Sequence, residues 1–112
     1  TVISPGHLII FGDVNPGAEV IAQGDIIVFG KLRGVAHAGK DGDRKATIAA
    51  LTFQPTQIRI ADLLTRPPDN KNFFPYPEIA RIKSDQIVVE EFDLWGWGGR
   101  RGKLKDKRRK LR

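Results

Sequence analysis

The 112-residue chain has no cysteine and no methionine, only two histidines, and no apolar run approaching the length of a membrane span. Without thiols, neither a disulfide framework nor a thiolate metal site can form. A helix needs about 20 consecutive apolar residues to cross a bilayer, and no segment here qualifies. Nor does the N-terminus carry the charged-then-apolar pattern of a leader. Amphipathic helical spacing is scarce as well: the best stretch, Ile60 to Leu64, is too short to stand alone as a helix. The length suits one domain with a modest core. Because Thr1 falls inside what already reads as structure and no Met is present, the expectation is a piece of a longer polypeptide.

What the chain does contain is a six-residue step. Leu8, Val14, Val20, Ile26, Leu32 and Ala38 succeed one another at that interval, and the residue four after each is small: Gly12, Ala18, Gly24, Gly30, Ala36, Gly42. Three steps make an 18-residue repeat, visible as Gly6–Gly12 (GHLIIFG) against Gly24–Gly30 (GDIIVFG). A short period of this kind predicts a β-solenoid, in which coils stack and each side sends one large apolar residue inward. The small residues are expected at narrow corners where a bulky side chain would collide.

Residues 7–14, 18–23 and 25–32 read as strands, with Val35 to Ala38 continuing the third side, because β-branched and aromatic residues cluster between Gly, Pro and Asn turn signals. The segment 39–45 breaks the step, as a loop protruding from a corner would. Thr47 to Phe53 and Gln57 to Ala61 resume the strands after a turn at Pro55. Residues 65–77 read as an excursion, with Phe73, Phe74 and Tyr76 as an aromatic lid on the coil. A last strand pair is expected at Glu78–Ile82 and Gln86–Phe92.

The net charge of +6 is not spread over the surface. Residues 100–112 hold nine Lys or Arg against Asp106, a net of +8, which leaves ten basic and twelve acidic residues elsewhere. The chain therefore divides into a slightly acidic domain at 1–94 and a Trp/Gly then Lys/Arg-rich tail at 95–112, expected to be a disordered extension. Trp95 and Trp97 with Arg100, Arg101 and Lys103 suit an anionic membrane, with indoles at the interface and cations near headgroups. Charge alone would equally serve nucleic acid or an acidic peptide.

Chemistry is sparse. His7 and His37 have no second ligand type at a metal or nucleophile spacing, and neither a metal nor a cofactor is expected. Asp13, Asp25, Asp41, Asp43 and Asp62 fall in turns, where short carboxylates accept from nearby backbone amides. Gly39–Gly42 (GKDG) lacks the frame and the subsequent helix of a phosphate loop. One repeat apart, Asn15–Glu19 and Lys31–Gly34 should lie one above the other at corresponding corners, bringing Asp13 to Lys31 and Glu19 to His37. Arg33, long and able to make bidentate contacts, is the best binding residue of that corner.

Four segments in order, Gly12–Ala22 (GDVNPGAEVIA), Val28–Gly34 (VFGKLRG), His37–Gly39 (HAG) and Ile58–Ala61 (IRIA), resemble the C-terminal domain of the MinC family, closely over about residues 6–64 and more loosely to about 92. The resemblance implies an all-β fold, a short right-handed parallel β-helix with three-sided coils. It implies a non-enzymatic domain of a septum-site determining division inhibitor, cytoplasmic and held peripherally at the membrane through ATP-bound MinD. Implied partners are a second copy, MinD and FtsZ, whose assembly at wrong sites the family opposes. Family members carry an Arg-Ser-Gly-Gln motif just before the segment aligned with Thr1 to Pro5, and a separate N-terminal inhibitory domain. This sequence includes neither, and its basic tail is not a family feature.

Within that frame the expected partner-binding set is Asp13, Asn15, Glu19, Asp25, Arg33 and Gly34. A short coil stack also leaves apolar residues facing out: Ile9, Phe11, Ile27 and Phe29 alternate with the inward set and require a cover. Leu51, Phe53, Ile58 and Ile60 are expected on the same dimer face. The alternative is a hexapeptide-repeat acyltransferase, a left-handed β-helix that forms trimers, with His37 as base and the tail reaching for coenzyme A phosphates. A dimer favours the division protein, a trimer the transferase.

Overall fold

A computed structural model of the chain describes residues 1–66 and 76–92 and the backbone of Arg109–Lys110. Every described element is a strand: β1 Val2–Ser4, β2 Leu8–Phe11, β3 Glu19–Ala22, β4 Ile26–Leu32, β5 Val35–Ala38, β6 Ile48–Phe53, β7 Gln57–Ile60, β8 Leu63–Thr65, β9 Glu78–Lys83, β10 Gln86–Glu91 and β11 Arg109–Lys110. They wind into a β-solenoid of about three turns. One side is the sheet β1-β3-β5-β7-β8 and a second is β11-β10-β9-β6-β4-β2. The third side is narrow, carried by the ends of β4 and β6 and by the bridge between Val14 and Leu32.

The repeat is legible in the register. Val2 lies beside Val20, Leu8 beside Ile26 and Val14 beside Leu32, all one 18-residue step apart. On the first sheet the second step is two residues shorter, since Glu19 lies beside Val35 and Val20 beside Ala36. Four residues turn the first coil between Val14 and Glu19, whereas Arg33 and Gly34 alone turn the second. Removing an even number of residues keeps the inward and outward sets apart, so Ala36 and Ala38 are both fully buried. The third coil is longer: Ile26 pairs with Ile48 and Val35 with Gln57. The extra residues form the corner loop 39–45, as its break in the six-residue step required.

The core fills the coil with Val14, Ile26, Val28, Leu32, Ile48, Ile58 and Ile60. Its C-terminal end is closed by antiparallel strands, β8 on β7 and β9 on β6, with β10 beyond. Two-residue turns join β7 to β8 and β9 to β10. Ser84 and Asp85 both adopt positive φ between β9 and β10, the geometry whose twist matches a hairpin, and Ala61 does so between β7 and β8. The expected lid residues Phe73 and Phe74 lie outside the described residues, and Tyr76 is half-buried.

Candidate interaction site

The coil corner between the narrow side and β3 collects most of the expected partner-binding residues. Asp13 is placed by the Gly12–Asp13 bend, and its Oδ1 accepts a hydrogen bond from the Lys31 amide of the next coil at 2.8 Å. Arg33 N–H donates to the Val14 carbonyl at 2.8 Å, and the Arg33 carbonyl accepts from Thr56 Oγ1 at 2.8 Å. A Cβ on Gly34 would meet the Ala18 and Asn15 carbonyl groups, so this corner tolerates only glycine. Glu19 opens β3 directly after Ala18, whose carbonyl accepts from Val35 N–H. Asn15, Glu19, Arg33 and Gly34 therefore share one corner, with Asn15 and Arg33 exposed and Gly34 buried, while Asp13 stands at the preceding bend on the other side of Val14.

Asp25 stands apart, at the corner between β3 and β4. Its Oδ1 accepts from Thr47 N–H at 2.8 Å, and its own N–H donates to His7 Nδ1 at 2.9 Å. Asp13 and Asp25 thus do the same work, tying each corner to the amide of the coil above where strand pairing stops. Asp43 likewise accepts from Lys45 N–H. These are the turn roles expected of such carboxylates. Asp62 differs: it pairs through two hydrogen bonds with Arg44, at 2.9 and 3.0 Å, and the guanidinium holds its carboxyl below the usual carboxylate range.

The outer row of the first sheet runs Ile3, Ile21, His37, Arg59 and Leu64. Glu19 lies beside Val35, one diagonal from His37, so it reaches that ring through charge and does not face it directly. Burial pushes the His37 pKa down most strongly, with Arg59 and Lys40 adding to this. The Ala61 carbonyl, 3.4 Å from Nε2, and Glu19 pull the other way.

The second sheet carries an apolar outer face. Ile9 and Phe11 of β2, Ile27 and Phe29 of β4 and Leu51 of β6 face outward, with Phe11 83% exposed. Phe11 stacks on Phe29, ring centroids 5.1 Å apart and planes 7° from parallel. Beside them a shallow cleft is lined by Ile27, Phe29, Ala49, Leu51, Pro77 and Phe92. Three residues expected on this face do not lie there. Phe53, Ile58 and Ile60 are buried in the coil, because they occupy inward positions of β6 and β7, and only Leu51 of that set is exposed. The outward alternation of β2 and β4 is the better guide. The tail residues Trp95, Trp97, Arg100, Arg101 and Lys103 lie outside the described residues.

The geometry is that of a scaffold with two exposed surfaces, and comparison with known proteins says which scaffold. The family described as "Septum formation inhibitor MinC, C-terminal domain" matches residues 1–92. The chain belongs to the MinC C-terminal domain family. Among relatives, the probable septum site-determining protein MinC of Heliobacterium modesticaldum is 54% identical over 93 residues, covering 82% of this chain and 32% of that protein. The MinC of Symbiobacterium thermophilum is 58% identical over 85 residues, covering 76% and 37%. The chain therefore spans about a third of the length of these MinC proteins. A solved structure titled as the MinC:MinD cell division protein complex of Aquifex aeolicus is similar at a TM-score of 0.78 and 44% identity, covering 81% of this chain and 76% of that one. Membership of the MinC family replaces the acyltransferase reading, whose base would be His37, here half-buried against the Ala61 carbonyl.

Proposed function

We propose that this domain recruits a division inhibitor: it docks on ATP-bound MinD, which holds it peripherally at the membrane, and pairs with a second copy of itself. By that recruitment it concentrates an antagonist of FtsZ assembly away from the proper division site. The likeness to the Aquifex chain solved in complex with MinD carries this reading. The corner of Asn15, Glu19, Arg33 and Gly34, flanked by Asp13 at the preceding bend and Asp25 at the next corner, is the surface assigned to MinD. Stacked coils fix its backbone, so Arg33 and Glu19 are presented with little ordering cost on binding. The apolar outer face of Ile9, Phe11, Ile27, Phe29 and Leu51 is assigned to the second copy, since a contiguous apolar patch requires a cover.

Co-elution of this chain with MinD on size exclusion, with ATP or with ADP and without lipid, tests the reading. A complex in ATP alone is expected, and Arg33→Glu should abolish it, with Arg33→Lys retaining part because a point charge replaces a planar fork. Absence of a complex under both nucleotides, or an Arg33→Glu variant that binds like the parent, would overturn the assignment.

A further inference from the structure

The outer face of the second sheet carries a projection and a recess. Phe11 is 83% exposed on β2, the strand at one end of that sheet, and stacks on Phe29 of β4. The recess lies beyond Phe29. Across the strands, Ile9 of β2 stands beside Ile27 of β4, Ile27 beside Ala49 of β6, and Ala49 beside Ile79 of β9. Ala49 thus faces outward with the isoleucines, between inward Ile48 and Ala50, yet it is only 3% exposed. Taller neighbours rise around it: Ile27, Phe29, Leu51, Pro77 and Phe92 wall the cleft, and Ala49 is its floor. Phe11 and Ala49 both lie outside the core cluster, so the coil's own packing does not account for a large side chain at one and a small one at the other.

We infer that Phe11 of one copy seats in the Ala49 cleft of a second copy, and that Phe11 of the second copy seats reciprocally in the first. This interlock rests on the pairing assigned above to the same face, and fixes its register. A two-fold dimer uses one patch on both subunits, so a projection needs its recess on its own surface, and every contact is made twice. Both lie on one sheet here, with β4 alone between β2 and β6. At the usual strand spacing, knob and floor are about 10 Å apart. Phe29 stands between them, so the line that joins them crosses the strands. A two-fold axis that exchanges them bisects this line, and therefore runs along β4 between the two facing sheets. Phe29 then lies next to the axis, where it supports Phe11 of its own copy by stacking and walls the seat for the incoming ring. A buried aromatic ring supplies the largest apolar area an interface residue can offer, and the seat exists only because residue 49 is small.

Sedimentation equilibrium of the full 112-residue chain tests the interlock with two single variants and their mixture. Phe11→Ala removes the knob, and Ala49→Phe fills the recess. Because each loss counts twice in a symmetric dimer, either variant alone should weaken self-association at least about a hundredfold, with circular dichroism unchanged. The equimolar mixture should regain dimers. In it, Phe11 of the Ala49→Phe chain meets an open cleft on the Phe11→Ala chain, and the filled cleft faces a position with no ring. Ala49→Leu, a smaller plug mixed with the same Phe11→Ala chain, supplies the result if the larger ring alters the circular dichroism. A dimeric parent whose single variants both stay dimeric, or whose variants remain monomeric on mixing, would overturn the interlock and leave the pairing itself standing. A monomeric parent would overturn both, and would leave the face to another segment of this chain or to a different protein.

Discussion

Gly30 shows how little room a coil corner leaves. A Cβ there would strike the Gly12 carbonyl and lie 2.7 Å from Asp13 Oδ1, and backbone stacked in register cannot move aside cheaply. At Gly6 the same atom would meet nothing within 4 Å. Gly30→Ala should therefore cost about 2–3 kcal/mol in urea unfolding, within the range of overpacked sites, while Gly6→Ala stays near neutral. Equal costs would remove the steric explanation for the small-residue step. His37 offers a second test. Its folded pKa lies below its unfolded value, so as pH falls the unfolded chain takes up the proton first. The associated stability is fully present above the unfolded pKa of about 6.5 and declines as pH drops from there toward the folded value. An NMR titration of His37 should show a midpoint below that of a free histidine. His37→Gln, which keeps a donor for the Ala61 carbonyl, should flatten the loss of stability between about pH 7 and 5. A parent and variant with parallel pH profiles would contradict it.

At the level of elements, Arg44 joins three loops. It projects from the corner loop between β5 and β6, pairs with Asp62 in the β7–β8 turn, and reaches Asp85 in the β9–β10 turn at 2.7 Å. All three groups are well exposed, so the pairs do little for global stability and act by holding the turns together. Lysine cannot span both carboxylates, and Arg44→Lys should speed amide exchange in residues 39–46, 61–62 and 84–86 while the strand core and the melting temperature hardly move. Exchange unchanged at all three loops would rule out the joint. Nothing local in the sequence announces this contact, because Arg44 and Asp85 meet only once the closing hairpin folds back. The hairpin itself is expected as a strand pair, but Ser84–Asp85 lacks the glycine that usually marks such a turn. The coils are legible because stacking demands the same alternation at every pass, and the repeat survives in Leu8, Val14, Ile26 and Leu32. Less legible is which strands of the third coil face in: Phe53, Ile58 and Ile60 are apolar like their exposed neighbours, and only register distinguishes them. β1 at Val2–Ser4 also escapes sequence reading, since three residues hold too little pattern to mark a strand.

The molecule as a whole is finished on one end and on two sides, and unfinished elsewhere. Antiparallel strands close the C-terminal end, whereas at the first coil Leu8 and Ile10, inward by alternation, are only partly buried beside the core positions Ile26 and Val28. The second sheet's outer face is likewise apolar where a lone domain would be polar. Phe11 is the residue on which to test whether a second copy covers that face, because it is the most exposed large apolar side chain described and packs on Phe29 alone among aromatic partners described. Phe11→Asp removes little from the folded monomer, yet it would place an unpaired carboxylate in a buried interface, a penalty of several kcal/mol per copy. Sedimentation equilibrium should find the parent dimeric and Phe11→Asp monomeric, with the same circular dichroism. Phe53→Asp, at a position buried in the coil, should instead unfold the chain, and that contrast separates interface from core. A Phe11→Asp variant that remains dimeric would move the second copy to another face, and a trimeric parent would be at odds with pairing through this sheet altogether.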